Sequence, residues 1–120
     1  MNKNDLEQRT LTFALRIIRF ISAFPHNTVA DILGRQLMKA GTSIGANYRE
    51  ANSAESRDDF IHKIAISAKE ASETVYWLEL CTQTPIGNPA ESERLMVEAR
   101  ELLAIFTKSG KTAKANAGKL

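Results

Sequence analysis

Few residues in this chain have the types and spacing that a reaction needs. A di-metal centre in a helical protein takes a Glu from each of two helices and a Glu-x-x-His pair from each of two others. Only Asp59-Phe60-Ile61-His62 approaches that spacing, and the second histidine, His26, follows Pro25 in a turn. Two histidines do not complete such a site, so no metal and no other cofactor is expected. Cys81 and His62 are types that can pair as nucleophile and base. They stand nineteen residues apart on one helical segment, with no third group to orient them. Cys81 reads as a semi-buried thiol near a helix end, and as the only cysteine it has no partner for an internal disulfide. No catalytic residue emerges, and the expectation is a protein that is not an enzyme.

Cations offer a different chemistry. Arg9, Arg16 and Arg19 fall on one strip of the first helical segment, and Arg35, Lys39 and Arg49 on a polar strip of the second. Such rows attract the phosphate backbone of RNA or DNA, and repetition in an oligomer multiplies a weak attraction. Lys111, Lys114 and Lys119 near the C-terminus would add to it. The same arginines can instead pair with acids of neighbouring helices. Asn47, Glu50 and Glu70 border apolar positions on the second and third segments. If buried they must be hydrogen-bonded, which points to a structural polar network between helices. Tyr76 and Trp77 lie among glutamates, where packing or an interface suits them better than base stacking.

The elements that position these side chains follow from composition and period. The chain has 120 residues, 43% of them hydrophobic and 25% charged, enough for one core and too few for two domains. No run approaches the roughly 18 apolar residues of a membrane span. The opening MNKNDLEQRT lacks a basic start followed by an apolar stretch, so a cytoplasmic location without membrane contact is expected. The formal charge is +2, but residues 1–49 carry +4, residues 50–107 carry −6 and residues 108–120 carry +4. A chain polarised this way presents basic and acidic faces, or has halves that attract each other within or between subunits.

Four helical segments are expected, over about 5–24, 28–52, 57–83 and 89–109, with 110–120 a basic disordered tail. Asn4 with Glu7, Thr28 with Asp31, Ser56 with Asp59, and Asn88-Pro89 with Glu91 supply the start signals. The first segment has two apolar rows, Leu11, Ala14, Leu15, Ile18, Ile21 beside Phe13, Ile17, Phe20, Phe24. A helix that apolar is covered on more than one side, which suggests subunit contacts. The second keeps its period through Gly34, Gly41 and Gly45, each costing a helix roughly 1 kcal/mol relative to alanine. Close approach of a neighbouring helix explains them better than a phosphate-cradling loop at Gly41–Gly45, which lacks the Lys-Ser/Thr ending and the preceding strand of a P-loop. Gly110 is placed to end the fourth segment. No strand period occurs, so the simplest packing is an all-α, antiparallel up-and-down four-helix bundle.

Residues 40–51, AGTSIGANYREA, and 59–80, DFIHKIAISAKEASETVYWLEL, resemble the signature of the four-helix bundle proteins of the 23S rRNA intervening-sequence family. FALRIIRF in the first segment and Gln36-Leu37 ahead of the signature fit as well, and the resemblance spans roughly residues 6–108. It implies a bacterial antiparallel four-helix bundle that assembles as a homopentamer, often with a basic surface. Some members of this family are encoded inside insertions of 23S rRNA genes. A related branch serves the reverse transcriptase of diversity-generating retroelements and is thought to bind nucleic acid and that enzyme. Most members have no established activity. Residues 1–109 here carry thirteen basic and fourteen acidic side chains, a departure from the basic retroelement branch.

Two functions follow as expectations. One is a non-enzymatic oligomer that binds RNA or DNA through its basic stripes. The other is an oligomeric scaffold that binds a partner protein and no nucleic acid, favoured by the near-neutral body and its acidic second half.

Overall fold

In a computed structural model, which describes residues 1–117, four helices account for almost all of the chain. They are α1 (Lys3–Ser22), α2 (Thr28–Asn52), α3 (Arg57–Gln83) and α4 (Pro89–Ala117). Each packs on the next in sequence to make an up-and-down bundle, and the described residues include no strand. The molecule is 53 Å long and about 20 Å across in its narrowest direction. Contact is most extensive between α2 and α3 and between α3 and α4, and least between α1 and α4.

Side-chain caps start the helices. The Asn2 carboxamide accepts from the Asp5 amide at 2.9 Å and the Asp5 carboxylate accepts from the Asn2 amide, a reciprocal box two residues ahead of the one expected at Asn4. At α2 the cap is Asn27, not Thr28, and accepts from the Ala30 amide at 2.9 Å. Ser56 and Asn88 cap α3 and α4 through the amides of Asp59 and Glu91.

Of the two apolar rows on α1, the phenylalanine row enters the core. Phe13, Ile17 and Phe20 are buried, whereas Leu11, Leu15 and Ile18 are exposed by 41%, 41% and 38%. The α2 glycines make room for α1. A β-carbon on Gly41 would lie 2.9 Å from Ile17 Cγ1, and one on Gly45 would lie 2.8 Å from Thr10 Oγ1. Across the bundle, the buried Ser67 hydroxyl of α3 donates to the Ile44 carbonyl of α2 at 3.0 Å, a bond that small residues at this crossing permit. The α3–α4 loop turns at Gly87, whose φ of +85° and contact with Phe20 and Phe24 leave no space for a side chain.

The expected end of the last helix, and the disordered tail after it, need correction. α4 runs through Gly110 to Ala117, and only residues 118–120, Lys119 among them, lie outside the described part. The segment Lys111–Ala117 is alanine-rich, and the half-buried Ala113 borders a shallow cleft with Phe60 near the start of α3. Good local helix propensity outweighs the cost of one interior glycine. Because a β-carbon on Gly110 meets only Ile64 Cγ2, at 3.7 Å, Gly110→Ala should raise stability by about 0.5–1 kcal/mol in urea unfolding.

Candidate nucleic-acid interface

The six cations singled out in the sequence divide into two groups. Arg9 and Arg16 project from α1 toward α4, the pair of packed helices with the slightest contact. Arg9 donates from Nε to Glu98 Oε2 at 2.7 Å and from Nη2 to Glu98 Oε1 at 2.6 Å and Glu101 Oε2 at 2.8 Å. Arg16 donates from Nη2 to Glu91 Oε1 at 2.8 Å, and Arg94 approaches the other oxygen of the same carboxylate at 3.3 Å. These bonds hold the Glu98 and Glu91 carboxyls below their ordinary range, with partial burial opposing the shift. Both arginines are therefore engaged in holding α1 to α4.

The other four point outward. Arg19, Arg35, Lys39 and Arg49 are exposed, and among the described residues none makes an ion pair or a side-chain hydrogen bond. Arg35, Lys39, Thr42, Ala46 and Arg49 follow one another at spacings of three and four, a single outward row along α2. Arg35 and Lys39 also border a cleft of about 580 Å³ between the end of α1 and the start of α2, floored by Ile21, Gly34 and Met38.

Asn47, Glu50 and Glu70 do not join into a network. The Asn47 amide donates to the Ser43 carbonyl of its own helix at 2.9 Å, and Glu50 pairs with Lys63 across α2 and α3 at 3.1 Å. Glu70 stands apart, with Oε2 shielded from solvent and without a hydrogen-bond partner. Burial, reinforced by the neighbouring Glu73 charge, raises its carboxyl above the ordinary range.

The residues weighed for catalysis are separated. Cys81 is fully buried, and burial pushes its thiol up to about 11, so it is neither exposed nor ionised at neutral pH. His62 is exposed on α3. Among the described residues no three His, Cys, Asp or Glu side chains converge as metal ligands, and no helix is long and apolar enough to cross a membrane.

Fold and surface together define a small antiparallel four-helix bundle with an outward basic row and no convergent reactive groups among its described residues. The chain belongs to the 23S rRNA-intervening sequence protein family, whose model matches residues 2–108. It is similar to a crystal structure of a protein of unknown function from the S23 ribosomal protein family of Bacteroides thetaiotaomicron. The two share 36% identity with a TM-score of 0.81, over 92% of this chain and 99% of that one. No curated protein matches the sequence.

Proposed function

We propose that this chain is a non-enzymatic, self-assembling bundle that contacts the backbone of RNA or DNA through its outward basic residues. The observation that carries this reading is that Arg19, Arg35, Lys39 and Arg49 are exposed and form no ion pair among the described residues. Free cations release counterions on meeting phosphate, so affinity falls as salt rises. Self-assembly is part of this proposal: each subunit would add another copy of the row, and weak contacts would multiply.

The test is binding of a labelled structured RNA and a duplex DNA across a salt series, compared with the variant Arg35→Gln/Arg49→Gln. The wild type should bind with a steep negative slope of log affinity against log salt. In the variant the slope should shrink by about one for each lost phosphate contact, with the helical signal unchanged. Equal slopes for the two proteins would sink the assignment of these arginines. The exposed row Leu11, Leu15 and Ile18 favours a second reading, an oligomeric scaffold for a partner protein. Absence of nucleic-acid binding even at low salt would leave that reading standing.

A further inference from the structure

Where α1 stops and α4 starts, the charges do not balance. A pocket of about 320 Å³ is lined by Arg16 and Arg19 of α1 and Arg94 of α4, with Phe20 among its apolar residues. Glu91 is the one carboxylate that lines it, so three guanidiniums face a single negative charge, a surplus of +2. Glu91 accepts from Arg16 Nη2 at 2.8 Å and from Arg94 Nη2 at 3.3 Å. The Arg94 bond is long and its side chain is 63% exposed, so that guanidinium can turn to another acceptor. Arg19 makes no ion pair among the described residues. Glu98, further along the same seam, is already held by Arg9 and does not offset the surplus.

The geometry points to a binding site for a phosphomonoester, the dianionic phosphate that ends a nucleic-acid strand or a free mononucleotide. Charge selects this class. A phosphomonoester carries about −1.5 to −2 near neutral pH and presents three acceptor oxygens, which matches the surplus. A diester in mid-strand carries a single negative charge and would leave one guanidinium uncompensated. Guanidinium forks meet phosphate oxygens in bidentate pairs, and Arg19 and Arg94 both have N–H groups to spare. Glu91, held ionised by the Arg16 bond, tethers Arg16 and Arg94 to one point. The helix end is not what makes the site. The Asn88 carboxamide already accepts from the Glu91 amide at 2.9 Å, and Pro89 has no N–H to offer. Arg35, Lys39 and Arg49 of α2 do not line this pocket, so it takes its ligand whether or not that row binds a strand.

The experiment is calorimetric titration of the full chain with adenosine monophosphate, with adenosine as control. It is run at physiological ionic strength, where exposed charges beyond about 8 Å are screened. The wild type should bind the monophosphate and not the nucleoside. Arg19→Gln/Arg94→Gln, at two exposed positions, should weaken binding by about thirtyfold or more with helicity unchanged. Arg35→Gln/Arg49→Gln removes the same charge from α2 and should change it far less. Anisotropy of a short labelled strand ending in phosphate or in hydroxyl then identifies the source. A gain from the terminal phosphate that Arg19→Gln/Arg94→Gln erases assigns the pocket to strand ends. Monophosphate binding without that gain assigns it to free mononucleotides. No preference for phosphate in either assay, or equal losses in the two double variants, overturns the inference. Failure of RNA and DNA binding while the monophosphate still binds sinks the α2 reading and leaves this site standing.

Discussion

Gly41→Leu should destabilise the bundle by about 3 kcal/mol or more, and Gly45→Leu comparably. The reason is steric. At Gly41 the first added carbon already lies 2.9 Å from Ile17 Cγ1 and 3.1 Å from Ile17 Cγ2. Ile17 is fully buried, so it has no solvent to retreat into. At Gly45 the added carbon meets Thr10, whose hydroxyl already donates to the Leu6 and Glu7 carbonyls at 3.0 Å each. Leucine is a better helix former than glycine by nearly 1 kcal/mol, so local propensity alone would stabilise α2. The clash must exceed that gain, because α1 can accept the larger side chain only by moving out of the core. Urea unfolding monitored by helical signal checks the outcome. A variant as stable as the wild type would show that the seam is loose. Helix propensity would then have been the deciding effect.

The second large effect concerns the opposite seam. Arg9→Ala should cost about 2 kcal/mol near neutral pH, because it removes three charge-assisted hydrogen bonds and strands the Glu98 carboxylate. The Glu98 side chain is only 17% exposed, so water recovers little of that loss. Folding holds the Glu98 carboxyl below its ordinary range through the Arg9 bonds. A depressed carboxyl contributes its stability above the unfolded-state value, about 4.3, and loses it as pH falls through the lower folded value. The gap between wild type and Arg9→Ala should thus be full at neutral pH and close as acid protonates Glu98. A gap that stays constant down to about pH 2 would assign the loss to packing of the arginine stem. A double-mutant cycle with Glu98→Ala isolates the pair.

The fold is legible because each helix carries its own signals. Ser56 with Asp59 and Asn88 with Glu91 are local, and both caps form as the spacing indicates. The three α2 glycines likewise announce a close neighbour. What misleads is punctuation whose effect depends on distant packing. Gly110 reads as a stop, yet α4 continues to Ala117, and Ala113 comes to border a cleft with Phe60 about fifty residues earlier in the chain. On α1 two apolar rows compete in the sequence, and only the assembled bundle selects the phenylalanine row for burial. The candidate interface is half legible for the same reason. A helical stripe shows which cations share a face, but the acids that engage Arg9 and Arg16 come from positions 75 to 92 residues away. Spacing along the chain groups Glu70 with Asn47 and Glu50, each of which is satisfied elsewhere.

The order of packing also has a kinetic consequence. Each extensive helix contact joins neighbours in sequence, and the one pairing of chain ends, α1 with α4, is the slightest. Little loop entropy must be surrendered before each contact forms, which places the chain among topologies that fold within microseconds to milliseconds. α3, flanked by its two most extensive partners, is the natural nucleus, and docking of α1 against α4 is the natural last event. Substitutions on α3 at Ile64 or Ala71 should slow folding, while loss of Arg9 should chiefly speed unfolding.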